Sequence, residues 1–435
     1  MAPLNILIVG CSIAGPTLAT FLLLSPLPAS EKPHVTILER ASVMRPHGQN
    51  IDVRGAGVTI IRKLGLEKVI RAATTGEEGV QLVDSNNTVW AAIGADKSGR
   101  IQTPTSDIEI LRGRMAELLY RQSQRISKEV QDEGGAGIEY VFGESLDELV
   151  QDGDKVHVRF EKSGERRTFD MVVGADGIQS RTRLLAWGED GEENRIHRLG
   201  LYGGFFSMPR GPTDTQWRRW YRAPGRRGVM VRPSGQKDKT TMFMTVVSDQ
   251  DERLVEAAER TSGGTQAQKL LMKEYFDGCG WETDRIIEGM MATDDFYYDT
   301  VSQIKMDKWS KGRVVLLGDA GYCASPLSGM GTTLALNGAY NLAGTILQAP
   351  DDLEAAFEAY ERSMRPTVNN AQKIAPILPR IMYPETAWGV WLLNALVYVI
   401  TQFGISNLLA RFRGPPANSV PVGDYGFRTL PASEP

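Results

Sequence analysis

Leu4-Asn5-Ile6-Leu7-Ile8-Val9-Gly10-Cys11-Ser12-Ile13-Ala14-Gly15 decides the fold of this chain. Leu4 to Val9 is apolar enough for one buried strand, Gly10 supplies a sharp turn, and a helix begins near Ile13. Such a helix points its free N-terminal N–H groups outward, which makes a phosphate site of Gly10, Ser12, Ile13, Ala14 and Gly15. Gly15 lets the helix pack close to the sheet. Ser12 stands where the pattern usually has another glycine, so the backbone approach is more crowded and a hydroxyl donor is added. A second apolar run, Val35 to Leu38, ends on Glu39 and Arg40. An acid at that place suits the ribose hydroxyl pair of an adenine nucleotide.

Two further signatures follow in order. Met171-Val172-Val173 leads into Gly174-Ala175-Asp176-Gly177, and Val314 to Leu317 leads into Gly318-Asp319, with Pro326 and Gly329-Met330-Gly331-Thr332 behind. One such motif is weak evidence. An ordered set of three implies one large ligand held at several places, and FAD fits that description.

Composition narrows the class. The chain has 435 residues, 42% of them apolar, which allows two to three globular domains with ample core. With 49 basic and 53 acidic residues the net charge is −4, and nothing argues for nucleic acid as a partner. Cys11, Cys279 and Cys323 are isolated thiols that suit a reducing, cytoplasmic compartment, and His34, His47, His157 and His197 form no metal-ligand spacing. Residues 4–24 are apolar, but no Lys or Arg precedes them, and cleavage there would delete the nucleotide motif. A signal peptide is therefore not expected.

The sequence pattern predicts an α/β architecture: a Rossmann-like FAD-binding domain, an inserted antiparallel-sheet substrate domain and a C-terminal helical region. The expected FAD-binding parts are residues 1–78, 107–185 and 301–365. Gly79 to Ile93 reads as a hairpin around Ser85-Asn86-Asn87, placing 79–106 with the substrate domain. Ile108 to Leu111 reads as a short strand, followed by a helix from Gly113 to about Ser127. Within 186–300, strands are expected at Gly203–Met208, Trp217–Arg222, Val229–Arg232 and Thr241–Val247, then helix over Leu254–Cys279. Residues 366–435 form the C-terminal region.

With these motifs assembled, the chain resembles the single-component flavoprotein aromatic hydroxylases, the family of para-hydroxybenzoate hydroxylase. It looks closest to the branch of the tetracycline-inactivating monooxygenase and secondary-metabolite hydroxylases. The resemblance covers about residues 4–365. The family's late motif, Gly-Asp-Ala-Ala-His-x-x-x-Pro-x-x-Gly-x-Gly, stands here as Gly318-Asp319-Ala320-Gly321-Tyr322-Cys323-Ala324-Ser325-Pro326-Leu327-Ser328-Gly329-Met330-Gly331. Tyr322 replaces the family His, so no role can rest on an imidazole there. The resemblance implies that Asp319 accepts hydrogen bonds from the ribityl chain. It implies that Gly329 to Thr332 present amides to the flavin's pyrimidine edge, where negative charge accumulates on reduction. Arg112, in Glu109-Ile110-Leu111-Arg112, and Pro326 are then expected near the flavin. Gly48 and Gln49 are expected beside the isoalloxazine, and Asp176 with Gly177 in FAD and nicotinamide binding.

The implied activity is an FAD-dependent monooxygenase that uses NAD(P)H transiently and O₂ as co-substrate. Through a flavin C4a-hydroperoxide it hydroxylates or epoxidises an apolar, aromatic or polycyclic small molecule. No second dinucleotide fingerprint occurs, in keeping with transient nicotinamide binding. The cofactor carries the chemistry, so no metal and no nucleophilic triad is expected. The alternative is a reductase or dehydrogenase of the same fold without oxygen insertion; a flavin-binding module without turnover is a third reading. Met242, Met244 and Val246 alternate onto one face and form either a pocket floor or plain core. Arg218, Arg219, Arg222, Arg226 and Arg227 read as a solvated hairpin, or else as a field that steers NADPH or an anionic substrate. Ala387 to Ile400 falls short of a membrane span and is expected as a buried helix packed across the domains. An interfacial helix anchored by Arg411 and Arg413 is the other reading.

Overall fold

A computed structural model describes residues 3–44, 48–96, 103–259, 264–403 and 420–434; His47, Arg411 and Arg413 lie outside the described residues. The aliphatic run of the opening motif becomes the strand Asn5–Val9, central in a six-stranded sheet. It pairs in parallel with His34–Glu39 on one side and with Met171–Gly174 on the other; Ile138–Phe142 forms one edge, and Val314–Leu316 followed by the antiparallel Ser310–Lys311 forms the other. Parallel strands are buried on both faces, which is why all three runs lack polar alternation. Helices Ala14–Leu23 and Gly331–Gln348 pack together over one face, with Leu18, Phe21, Leu336, Tyr340 and Leu342 buried between them. The helix expected at Gly113–Ser127 runs from Arg112 to Asp132.

The second module is a seven-stranded sheet. Its spatial order is Tyr297–Ile304, Ile196–Pro209, Lys239–Val247, Arg227–Pro233, Arg218–Ala223, Gly79–Val83 and Val89–Gly94. The hairpin 79–94 therefore joins strands that follow it by more than a hundred residues. The edge strand Tyr297–Ile304 was not foreseen, and it leads the chain back to the first module. Three helices, Glu252–Glu259, Thr265–Phe276 and Thr283–Ala292, cover one face of this sheet; the first two occupy the helical stretch expected over Leu254–Cys279, and the third lies beyond it.

That cover settles the methionine stripe. Met242, Met244 and Val246 are buried against Met272, Phe276, Ile286 and Met290, so they are core and not a pocket floor. The uncovered face is the opposite one. Helices Leu353–Ala371, Leu378–Met382 and Ala387–Gln402 follow the nucleotide module, and the described end, residues 420–434, is irregular.

Candidate functional site

The sequence motifs converge at the C-terminal ends of the parallel strands, where open α/β sheets bind ligands. Gly10 has φ +114°, and a side chain there would run into the Ala175 carbonyl, so the first and second motifs touch through backbone alone. A Cβ at Gly318 would lie 3.7 Å from Ala14 Cβ and 3.6 Å from Ala335 Cβ. The late motif thus sits between the N-terminal turns of the two packed helices. Neither helix is capped by a side chain at its N-cap, Ile13 or Met330, so their first-turn amides face outward as anion-binding donors. Asp319 opens a short helix beside the second of them, with Oδ1 3.9 Å from the Cβ position of Gly331. Thr332 is buried and Gly329 takes φ +61° in the turn before it.

Glu39 ends its strand beside this turn. Its carboxylate accepts hydrogen bonds from the Cys11 amide at 3.0 Å and the Ala41 amide at 2.9 Å, which fixes its direction. Arg40 is exposed next to it. Burial, with Glu39 adding to it, pushes the Cys11 thiol up to about 12, so it is neither thiolate nor redox centre at neutral pH. The Asp176 carboxylate is committed to its own loop: it accepts from Ser180 Oγ at 2.5 Å and from the Thr182 amide at 2.9 Å. Gly177, φ +85°, leaves open space in front. Arg183 was missed by the sequence reading. Fully buried, it donates to the Ile178 and Ala320 carbonyls, both at 2.8 Å, and ties the Asp-Gly loop to the late motif.

Gly48, Gln49 and Arg112 form the third side. The Arg112 amide donates to the Gln49 carbonyl at 2.9 Å, and Gly48, φ +145°, places its Cβ position 3.1 Å from Arg112 Cβ. The Arg112 side chain is exposed, and so is Pro326. Across from them the Tyr297 hydroxyl donates to Gln49 Oε1, joining the loop to the uncovered face of the seven-stranded sheet. Along that face one register row runs Trp220, Met230, Phe243, Phe205, Tyr297. Phe243, Phe205 and Tyr297 stack at centroid distances of 4.0 and 4.8 Å. This is an aromatic floor that starts at Arg112 and Gln49 and ends under Tyr383, which packs on Trp220.

The arginine cluster is no solvated hairpin. Arg218 and Arg232 hold the buried carboxylates Glu77 and Glu109, Arg219 binds Asn87 Oδ1 at 2.7 Å, and Arg222 donates to the Met382 carbonyl while lying 4.1 Å over the Trp220 ring. Arg227 donates to the Tyr275 carbonyl at 2.6 Å. Four of the five cations are therefore structural rather than a steering field. Tyr322 also proves structural: fully buried, it packs 4.4 Å from Trp309 and accepts a hydrogen bond from Tyr360 at 2.7 Å. It faces away from the motif cleft. Among the described residues no group of His, Cys, Asp and Glu could hold a metal ion.

A Rossmann-like cleft bordered by an inserted aromatic-floored sheet defines a flavoprotein fold. Residues 4–373 match the family described as FAD binding domain, and the chain belongs to that family. The FAD-dependent monooxygenase asL6 of Sarocladium schorii is 34% identical over 411 residues, 93% of this chain and 94% of that one. Monooxygenase CTB7 of Cercospora beticola is 34% identical over 397 residues, 90% and 92% of the two chains. Among solved structures, tetracycline destructase Tet(51) superposes with a TM-score of 0.73 at 26% identity, covering 93% of this chain and 98% of its own. The protein is thus an FAD enzyme of the flavin-dependent monooxygenases, and the family resemblance of its motifs holds.

Proposed function

We propose that the protein oxidises NAD(P)H and uses O₂ to insert one oxygen atom into an apolar aromatic or polycyclic small molecule. The observation that carries this is the aromatic row ending at Gln49 and Arg112: a floor for a flat apolar ligand that runs directly to the cleft of the flavin motifs. The residues present fit FAD. Two uncapped helix N-termini suit its pyrophosphate and its pyrimidine edge, Glu39 suits the adenosine ribose, and Asp319 suits the ribityl hydroxyls. Gly10, Ser12, Ile13, Ala14 and Gly15 hold the pyrophosphate in this reading, with Gly48, Gln49, Arg112 and Gly329 to Thr332 around the ring. Asp176 acts through the shape of its loop, because its oxygens are already engaged.

When bound, FAD supplies hydride acceptance from NAD(P)H and the activation of O₂. The protein's own part is to orient the substrate ring on Phe205, Phe243 and Tyr297 and to keep water from the reacting centre. Arg112 places a fixed positive charge at the junction. The test is aerobic NAD(P)H oxidation by the purified protein across phenolic, polycyclic and polyketide-like compounds. Oxygen uptake together with a product heavier by one oxygen atom is the expected result. NAD(P)H-dependent reduction of a compound without oxygen uptake would replace this reading with a reductase.

A further inference from the structure

Asp52 carries a buried oxygen that no group of the protein pairs with. It ends the short strand Asn50–Asp52, which follows directly on Gln49, and it pairs across a two-stranded sheet with Glu109 of the strand that leads into Arg112. The strand therefore runs out of the loop that borders the proposed ring site. Its far end is fixed to the late motif: the Arg54 amide donates to Thr333 Oγ1, and Thr333 Oγ1 donates to the Arg54 carbonyl, both at 3.0 Å. Asp52 Oδ2 accepts a hydrogen bond from Arg54 Nη2 at 3.0 Å and lies 3.6 Å from the Cβ position of Gly329. The carboxylate thus stands against the Gly329-Met330-Gly331 turn, beside the first turn of the helix Gly331–Gln348.

The second oxygen, Oδ1, is buried and has no hydrogen-bond partner among the described residues, and the same holds for Arg54 Nε. The Asp52 and Arg54 side chains are 15% and 9% exposed, so bulk water does not make up the loss. A buried carboxylate oxygen left unpaired is costly, and the ion pair with Arg54 satisfies only half of the group. Other charges nearby are engaged elsewhere. Glu109 and Arg232 act on Asp52 through their field only; they are bonded to each other, and Arg232 also to Glu77. Arg54 gives a second nitrogen to the Thr103 carbonyl at 3.1 Å. An ionised carboxylate is an acceptor only, so what Asp52 lacks is a donor. The oxidised isoalloxazine ring offers one N–H, at N3 of its pyrimidine edge, while its other polar ring atoms accept. Helix amides suit those acceptors and cannot serve N3–H.

We infer that Asp52 accepts the N3–H of the flavin ring, with Arg54 holding the carboxylate in place. Donor amides of the helix and the acceptor Asp52 then together match the alternating acceptors and donor of the pyrimidine edge. The inference rests on the placement of Gly329 to Thr332 around the ring proposed above.

The experiment uses the full-length protein loaded with FAD or with N3-methyl-FAD, which lacks that hydrogen. It needs neither NAD(P)H nor oxygen, so a failure of the monooxygenase reading is seen separately. The parent is expected to bind N3-methyl-FAD about tenfold to a hundredfold more weakly than FAD. In Asp52→Ala the two flavins should bind within about threefold of each other. A carboxylate that only supports the fold would weaken both flavins alike and leave the parent's ratio in place. Asp52→Asn keeps the shape and an accepting oxygen but not the charge. In the FAD-loaded form of that variant, the alkaline ionisation of N3, read by flavin absorbance, should move down by about one pH unit or more from the parent, because an anion beside N3 opposes loss of its proton. This measurement decides the matter if Asp52→Ala holds no flavin. Equal binding of the two flavins by the parent, an unchanged ratio in Asp52→Ala, or an unmoved N3 ionisation in Asp52→Asn overturns the inference.

Discussion

Asp319 and Tyr322 are three residues apart in one motif and have opposite fates, because a helix of one turn, Asp319–Tyr322, turns the first toward the cleft and the second into the core. Asp319→Ala removes a charged acceptor from the proposed ribityl site. Loss of about 1.5–3 kcal/mol is expected, roughly tenfold to a hundredfold in FAD affinity, read as the dissociation constant by flavin fluorescence. Tyr322→Phe instead removes an acceptor for the Tyr360 hydroxyl at 2.7 Å. It should cost about 0.5–1.5 kcal/mol of stability in denaturant titration and leave the FAD affinity unaltered. A fall in flavin content with Tyr322→Phe would return that position to the cofactor site. The glycines and Asp319 were legible in the sequence because strand, turn and helix follow one another within a few residues. Arg183 was not, because it acquires its meaning from a partner on another element, the Ala320 carbonyl.

The seven-stranded sheet shows where alternation stops being informative. Apolar residues occupy both faces of Lys239–Val247, Met242 and Met244 on one and Phe243 on the other, so period alone could not say which face the helices cover. The arginine cluster misleads for a related reason: its carboxylates stand more than a hundred residues away. Glu77 and Glu109 lie on loops and strands of the nucleotide side and meet Arg218 and Arg232 of the sheet, while Asn50 bridges Glu109 Oε1, the Pro233 carbonyl and Thr241. This network couples the two modules. Arg232→Met leaves buried carboxylates facing each other and should cost about 3–5 kcal/mol, seen as a drop in melting temperature. Burial raises the Glu77 carboxyl, but Arg232 and Arg218 outweigh it and hold the group down at about 2, below its ordinary 4.5. A depressed folded-state value stabilises the protein above pH 4.5, and that stabilisation is lost as the pH falls from 4.5 toward 2. Glu77→Gln should flatten stability against pH in that window; an unchanged acid-denaturation slope would show that Glu77 is not held ionised.

The two modules share their outer cover, and the C-terminal region supplies it. Residues 420–434 return to the nucleotide module: Phe427 packs 5.1 Å from Phe21, Tyr425 lies over Gly344, and the Leu430 amide donates to the Lys63 carbonyl at 2.9 Å. Tyr383 and the helix Ala387–Gln402 lie on the other module, with Asn394 beside Arg222 and Val397 on the patch of Val80, Leu82 and Ala91. The expectation of a buried helix needs correction here. Only Val390 and Asn394 are buried, and Trp388, Trp391, Leu392, Leu396, Val399 and Phe403 are exposed, because one face of a 16-residue helix suffices to cover the sheet edge. Among the described residues no helix is long and apolar enough to cross a membrane. Removing residues 376–435 uncovers apolar surface on both modules at once; Phe427, Leu430 and Tyr383 alone account for several kcal/mol at about 1.5–3 kcal/mol per buried side chain. The truncated chain is expected to be insoluble, or to unfold at markedly lower denaturant with loss of FAD, as read by sedimentation and flavin absorbance. If it instead stays soluble and active while the full chain pellets with lipid vesicles, the helix is a surface anchor and the cover of the two modules lies elsewhere.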